Sequence, residues 1–217
     1  QEARAEALAE AQAARGDLIP VMAEREAVLR ATAADPKDLP KAQALVANWL
    51  SRRYRVAPEP VSRIVQEAWS VGQKTGVEPT LILSVMAIES SFNPFAQSPV
   101  GAQGLMQVMT KVHQDKYEAV GGVTAALNPY ANIKIGALVL KDCIARAGTI
   151  EGGLKYYVGA TTNTDGGYGA KVLAERGRLR ALLGLPAVEK AGDGKTQAEH
   201  HQNGEKLEAS GNTAQAA

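Results

Sequence analysis

From Val61 onward the hydrophobic positions keep a helical period. Val61, Ile64, Val65, Ala68, Trp69 and Gly72 fall at i, i+3, i+4, i+7, i+8 and i+11, one face of a helix. Glu78-Pro79-Thr80 opens the next, in which Leu81, Ile82, Leu83, Val85, Met86 and Ile88 leave no polar side. A helix apolar all round is buried in a core. Asn128 followed by Pro129 predicts a capped helix start, with Ile133, Gly136, Val139, Leu140, Cys143 and Ala147 on its inner face. A shorter helix is expected around Leu154 to Val158. The last runs from about Gly167 to Leu183 and carries Tyr168, Val172, Leu179 and Leu183.

Upstream the pattern is weaker. Glu2 to Arg15 is rich in Ala, Glu and Arg, with strong helix propensity and little to bury. A second helix is expected from Pro20 to Ala34, stopped by Asp35-Pro36, and a third from near Pro40 with Leu45, Val46, Trp49 and Leu50 on one stripe. Ala57-Pro58-Glu59-Pro60 breaks the pattern and marks the main boundary. After Gly184 and Pro186 the chain turns Gly-, Gln-, Asn-, Ala- and charge-rich, too poor in apolar groups to offset the entropy of ordering. The organisation expected is a helical arm over residues 1–56, a main domain over 57–184 and a disordered tail over 185–217. No repeat, sustained heptad or convincing strand interrupts this, and the fold class is all-α.

Composition narrows the chemistry. Across 217 residues, 24 Lys and Arg face 23 Asp and Glu, a net charge of +1. That balance lacks the basic footprint of a nucleic-acid binder. No apolar run is long enough to cross a bilayer. The single cysteine, Cys143, precludes an intrachain disulfide or a Cys-cluster metal site, and its apolar face suits a small core residue. Histidine is limited to His113 and the His200-His201 pair, so neither a zinc hydrolase nor a Ser-His-Asp enzyme has its raw material. Carboxylates remain for acid–base work. The chain starts at Gln1 without a basic-then-apolar leader, which identifies no compartment.

The stretch from Ala87 to Met109 holds the candidate chemistry. Glu89 ends the fully apolar helix, where desolvation and the negative helix terminus both raise a carboxyl pKa, as a general acid near neutrality requires. The loop after it is punctuated by Pro94, Pro99, Gly101 and Gly104, where backbone can approach a ligand closely. Leu105 to Met109 reads as a short helix returning beside the acid. Taken alone, such a Glu is more readily read as a structural carboxylate bonded to a neighbouring loop.

The wider pattern changes that balance. Glu89-Ser90 followed by Asn93-Pro94, then Ser98-Pro-Val-Gly-Ala102, then Gly104-Leu-Met-Gln107, resembles the signature of the soluble lytic transglycosylase family, whose lysozyme-like domain cleaves bacterial peptidoglycan. Asn128-Pro-Tyr-Ala-Asn-Ile133 with Gly136, Leu154-Lys-Tyr-Tyr157, and Tyr168 with Val172 resemble later blocks of that family in the same order. The resemblance spans roughly Ala57 to Leu183. It implies a lysozyme-like helical catalytic domain in which Glu89 is the acid/base. Ser90, Ser98, Gly104, Met106, Gln107 and Met109 would contribute to the glycan groove, and Tyr157 would face the carboxylate. Core packing is an equal reading for Met106 and Met109. Tyr130 reads as a packing residue. One departure stands out: the family's Tyr-Asn-Ala-Gly is Tyr157-Val158-Gly159-Ala160 here, unless Tyr156 takes the motif position. Gly152-Gly153 and Gly166-Gly167 suggest flexible edges to this part of the groove.

Ordinary glycosidases place two carboxylates about the scissile bond. No second acid lies between Glu89 and Met109, and Asp115, Glu118, Asp142 and Glu151 read as solvated charges, with Asp165 the one outsider. The family implies a single acid/base and an intramolecular attack by the sugar's own C6 hydroxyl, without metal or cofactor. The partner implied is the peptidoglycan glycan strand, in a periplasmic or secreted location that follows from the substrate. A hydrolytic muramidase using the same Glu89, and an impaired peptidoglycan-binding or assembly module, are the alternatives. Residues 1–56 would pack on the domain, self-associate, or dock on secretion or pilus machinery.

Overall fold

Prolines set where several helices begin. In the computed structural model, which describes residues 34–160 and 164–187, α1 (Lys41–Tyr54) starts after Pro40. Both α2 (Pro58–Thr75) and α3 (Pro79–Glu89) start on a proline. At that position the missing N–H costs nothing and the ring presets the helical φ. A two-stranded antiparallel hairpin follows, β1 (Ala102–Gln103) with β2 (Val108–Met109), Ala102 opposite Met109 and Gln103 opposite Val108. Then come α4 (Gln114–Glu118), a 3-10 turn over Val123–Leu127, α5 (Pro129–Ala147), α6 (Ile150–Tyr157) and α7 (Tyr168–Leu182). The Asn128 carboxamide oxygen accepts from the N–H groups of Tyr130 and Ala131, the cap its sequence announces.

The all-α reading holds, with two local corrections. A small hairpin exists, and Leu105 to Met109 is a turn running into β2 rather than a helix. Gln107 adopts φ 47°, a left-handed conformation that no helix interior accommodates.

Burial follows the pattern where an element has one neighbour and exceeds it where there are several. Val61, Ile64, Val65, Ala68 and Gly72 are buried along α2, and α3 is buried from Thr80 to Ala87. On α5 the expected Ile133, Gly136, Val139 and Leu140 are joined by Asn132, Ile135 and Ala137. That helix packs on α2, on α6 and on β2 at once, so a single stripe does not describe it. Cys143 is half-buried at its edge. Gly153, expected at a flexible edge, instead lies inside α6 where a Cβ would come within 2.5 Å of Ile144; its absence lets α5 and α6 approach closely.

The break at Ala57 separates α1 from α2, yet the two pack together. Val46, Ala47 and Leu50 of α1 enter the same apolar cluster as Val61, Leu83 and Val172. Leu45 points outward, 44% exposed, so the stripe of α1 centres on Val46 and Leu50. Among the described residues no helix is long and apolar enough to cross a membrane. The helices expected over 2–15 and, apart from Ala34, over 20–34 lie outside the described residues, as does the tail beyond Ala187.

Ion pairs fix α7 to its neighbours. Glu78, at the start of α3, receives the guanidinium groups of Arg176 and Arg180 and the Thr80 hydroxyl. Burial pushes this carboxyl up, but those hydrogen bonds and the Arg176 charge hold it below its ordinary value overall.

Candidate active site

An apolar helix delivers Glu89. Because α3 is buried along its length, its last residue emerges half-buried between α7 and the hairpin loop, where few waters can solvate a carboxylate. Burial pushes the Glu89 carboxyl above its usual range, and a smaller opposing effect comes from Tyr168, whose hydroxyl donates to Glu89 Oε1 at 2.7 Å. Tyr168 is the first residue of α7 and only 8% exposed. Burial, then the negative charge of Glu89, raise its phenol well above the ordinary value, so it remains a donor. Asp165 holds this helix start: its carboxylate accepts from the N–H groups of Gly167 (2.9 Å) and Gly169 (2.7 Å).

The loop opposite Glu89 is tied to three helices. From α3's end, the Ser90 hydroxyl donates to the Leu105 carbonyl at 2.7 Å. From α5, Asn132 accepts from the Met106 N–H at 2.8 Å and donates to the carbonyls of Gln103 (2.8 Å) and Ala126 (2.9 Å), with Tyr117 Oη at 3.2 Å. From α6, the Tyr157 hydroxyl donates to the Met106 carbonyl at 2.8 Å. Burial first, then the Glu89 charge, raise the Tyr157 phenol well above its usual value, which places this ring in the field of the acid. The loop also ties itself: the Gln107 carboxamide donates to the carbonyls of Ala96 and Gly104, each at 3.0 Å.

Several expected groove residues therefore have inward partners. Ser90 and Gln107 spend their donors on backbone carbonyls, and the Ser98 hydroxyl accepts from the Ala102 N–H across a turn. Met106 is fully buried, its side chain against Gly136. Gly104 is needed less for a ligand than for Asn132, whose amide lies 2.4 Å from where a Cβ would sit. Met109 is half-exposed on β2. Of the two candidate tyrosines in α6, Tyr157 turns inward while Tyr156 is exposed and stacks under Arg146. Val158 caps α6 with 41% exposure. The tyrosine bonded to Glu89 is Tyr168 rather than Tyr157. Its block resemblance was the available signal for it, and Asn132, inside the Asn-Ile block, was the signal for the loop's main tie.

Seven other carboxylates face solvent or have partners of their own. Asp115, Glu118, Asp142 and Glu151 are exposed, Asp165 caps α7, and Glu78 and Glu175 are bound by arginines. Tyr130 pairs with Arg63, which donates to its hydroxyl at 2.9 Å. Among the described residues no cluster of His, Cys, Asp and Glu has the makings of a metal site.

The segment that carries Glu89 is similar to a described sequence family. Residues 68–165 match the model of the transglycosylase SLT domain. The chain is 35% identical over 109 residues to the transglycosylase of Enterobacteria phage PRD1, covering 50% of this chain and 38% of that protein. It is 38% identical over 76 residues to membrane-bound lytic murein transglycosylase C of Actinobacillus pleuropneumoniae serotype 5b (strain L20), 32% of this chain and 21% of the relative. Over 87 residues it is 38% identical to the endo-type membrane-bound lytic murein transglycosylase A of Klebsiella pneumoniae strain 342, 37% of this chain and 40% of the relative. The chain thus spans from 21% to 40% of the length of these relatives. Among solved structures, an inactive mutant of the lytic transglycosylase Slt from Pseudomonas aeruginosa aligns with a TM-score of 0.49 at 17% identity, over 68% of this chain and 32% of that one. Glu89, the hairpin, Asn132 and Tyr157 lie inside the SLT match. Tyr168 and the whole of α1 lie outside it.

Proposed function

We propose that the chain cleaves the β-1,4 bond between N-acetylmuramic acid and N-acetylglucosamine in peptidoglycan, leaving a 1,6-anhydro end. The observation that carries this reading is one half-buried carboxyl, raised by desolvation and bonded by Tyr168, at the centre of an SLT domain. Glu89 in its protonated form donates to the glycosidic oxygen, and the leaving sugar departs as the bond breaks. The substrate's own acetamido group supports the cationic carbon. Glu89, now a carboxylate, takes the proton of the C6 hydroxyl as that oxygen closes the ring. The raised pKa serves the first step, and the Tyr168 hydrogen bond stabilises the anion needed for the second.

Intramolecular attack supplies much of the rate, because a correctly held internal nucleophile has a large effective molarity. The protein's task is then to hold the sugar and keep water away. The tied loop, with Ser90, Ser98, Gly104, Met106 and Gln107 in its frame and Met109 at its edge, gives the groove a fixed wall. A carboxylate assisted by substrate needs no second acid, and the exposed, backbone-bonded or arginine-bound state of Asp115, Glu118, Asp142, Glu151, Asp165, Glu78 and Glu175 fits that. On this reading the chain acts outside the cytoplasmic membrane, and residues 1–56 are where a docking partner such as secretion or pilus machinery would engage.

Mass spectrometry of muropeptides released from purified sacculi tests the proposal, with Glu89→Gln alongside. Fragments lighter by one water than lysozyme products, absent with the variant, are expected. Reducing ends would make the protein a muramidase. Sedimentation with sacculi but no release would make it a binding module, the reading that Val158 in place of the family's Asn favours.

A further inference from the structure

Three elements meet behind the Glu89–Tyr168 pair. The ring of Tyr54, the last residue of α1, stands edge-on to Phe92 with centroids 5.0 Å apart and planes at 63°. Its hydroxyl donates to Glu175 Oε1 at 2.7 Å. Phe92 lies in the turn directly after Glu89, is 1% exposed, and has φ 66° next to Ser91 at φ 50°. Two successive non-glycine residues in left-handed backbone persist only where surrounding packing holds them. Glu175 lies two turns along α7 from Tyr168 on the same buried face, and is itself 1% exposed. Arg53 reaches it with Nε at 3.0 Å and Nη2 at 3.3 Å, and Arg178 with Nη1 at 2.5 Å.

Tyr54 therefore touches both halves of the site: by its ring the turn that continues from the acid, by its hydroxyl the helix that carries the acid's partner. We infer that Tyr54 is a positioning residue for the reaction, fixing the distance between Glu89 and Tyr168 by holding the Ser91–Phe92 turn against α7. Arg53 and Arg178 hold the Glu175 side chain in place as the anchor for the Tyr54 hydroxyl. The inference rests on Glu89 and Tyr168 acting as proposed above. It brings into the site a helix that the SLT match, residues 68–165, does not contain.

Initial rates on soluble, uncrosslinked glycan strands test it. A displacement of about 1 Å at a catalytic group costs roughly 100-fold in rate. Tyr54→Leu, which removes both contacts, is expected to lower kcat on that order with little change in KM. Tyr54→Phe keeps the ring contact and is expected to fall between that variant and the parent. In a Tyr168→Phe background, Tyr54→Leu is expected to cost almost nothing further, since residues acting through one another are not additive. Val46→Ala, a cavity in α1 away from both contacts, is expected to lower Tm and leave kcat unchanged. The inference is overturned if Tyr54→Leu keeps the parental kcat, if its loss is the same in the Tyr168→Phe background, or if Val46→Ala loses as much kcat. Glu89→Gln, run in the same series, separates the two levels. A Glu89→Gln protein that still cleaves sinks the acid/base reading itself, whereas an inactive one beside unaffected Tyr54 variants sinks only the positioning role.

Discussion

Gly136 offers a sharp test of how the loop opposite Glu89 is held. A Cβ at this position of α5 would lie 2.5 Å from Met106 Sδ, 2.7 Å from its Cβ and 3.1 Å from its Cγ. The sulfur belongs to a flexible end and can swing away. The Met106 Cβ is next to backbone, and that backbone is pinned through its N–H to Asn132 and through its carbonyl to Tyr157. Ordinary carbon contacts lie at about 3.5–4.0 Å, so Gly136→Ala must push Met106 by roughly 1 Å. Overpacking of this kind costs about 1–3 kcal/mol. Against it stands a helix-propensity gain of about 0.5–1 kcal/mol for replacing Gly by Ala. The net expectation is a loss of about 1 kcal/mol, or roughly 2–4 °C in Tm. Activity should suffer far more than stability, by about 100-fold, because a 1 Å shift of the loop moves the groove wall relative to the acid. Gly177 supplies the control, since it lies in α7 with nothing within 4 Å of an added Cβ. There the same substitution is expected to raise Tm by roughly 1–4 °C and leave the rate alone. Thermal melts and muropeptide release on the two variants decide the matter. A Gly136→Ala protein that gains stability and keeps its rate, as Gly177→Ala should, would refute the idea that Met106 is immobile against α5.

Further outcomes follow from Glu89 and its ties. Burial holds Glu89 above the ordinary carboxylate value, so the folded state binds its proton more tightly than the unfolded chain does. That stability is present below the unfolded value of about 4.3 and is lost as pH rises through the folded one. Glu89→Gln should therefore melt higher than the parent at neutral pH, with the gap closing towards pH 4; a gap that does not vary with pH would contradict this. Removing the Tyr168 hydroxyl takes away the effect that opposes burial, so in Tyr168→Phe the alkaline limb of the rate profile should move to higher pH while the rate falls. An unmoved limb would show that the 2.7 Å contact does not reach the acid's titration. Asn132→Ala strands the Met106 N–H and the carbonyls of Gln103 and Ala126. At about 1–3 kcal/mol for each buried group left unpaired, urea unfolding should register a loss above about 3 kcal/mol.

The sequence was most informative where local rules and tertiary demands agree. Pro79 starts α3, nine apolar or small residues follow, and the burial that raises Glu89 is already implied by that run. Asn128 and Pro129 fix the start of α5 in the same way. The hairpin was not legible because each strand is only two residues long, too short for alternation to register. Leu105 to Met109 has helix-forming composition, but left-handed Gly104 and Gln107 and bonds arriving from Ser90, Asn132 and Tyr157 override it. The partners of individual side chains were hidden for a related reason. Ser90 and Gln107 stand in the expected motif, yet their partners are carbonyls that only the folded loop brings near. The bond from Tyr168 to Glu89 joins residues 79 positions apart, a distance at which no local pattern speaks.

The place of α1 and Tyr168 outside the SLT match has a consequence for how such a domain is inherited. The segment that similarity marks out, residues 68–165, carries Glu89 but neither the hydroxyl that meets it nor the helix whose Tyr54 stands against Phe92. A recombination event cut at those limits would move the motif and leave those contacts behind. Among the described residues the common core runs from Leu39 to Leu183, so a piece that changes hosts intact would need at least that span. The flanking helices would then be retained for their shape, with Tyr54, Tyr168 and the buried residues Val46, Leu50, Val172 and Leu179 the positions least free to vary.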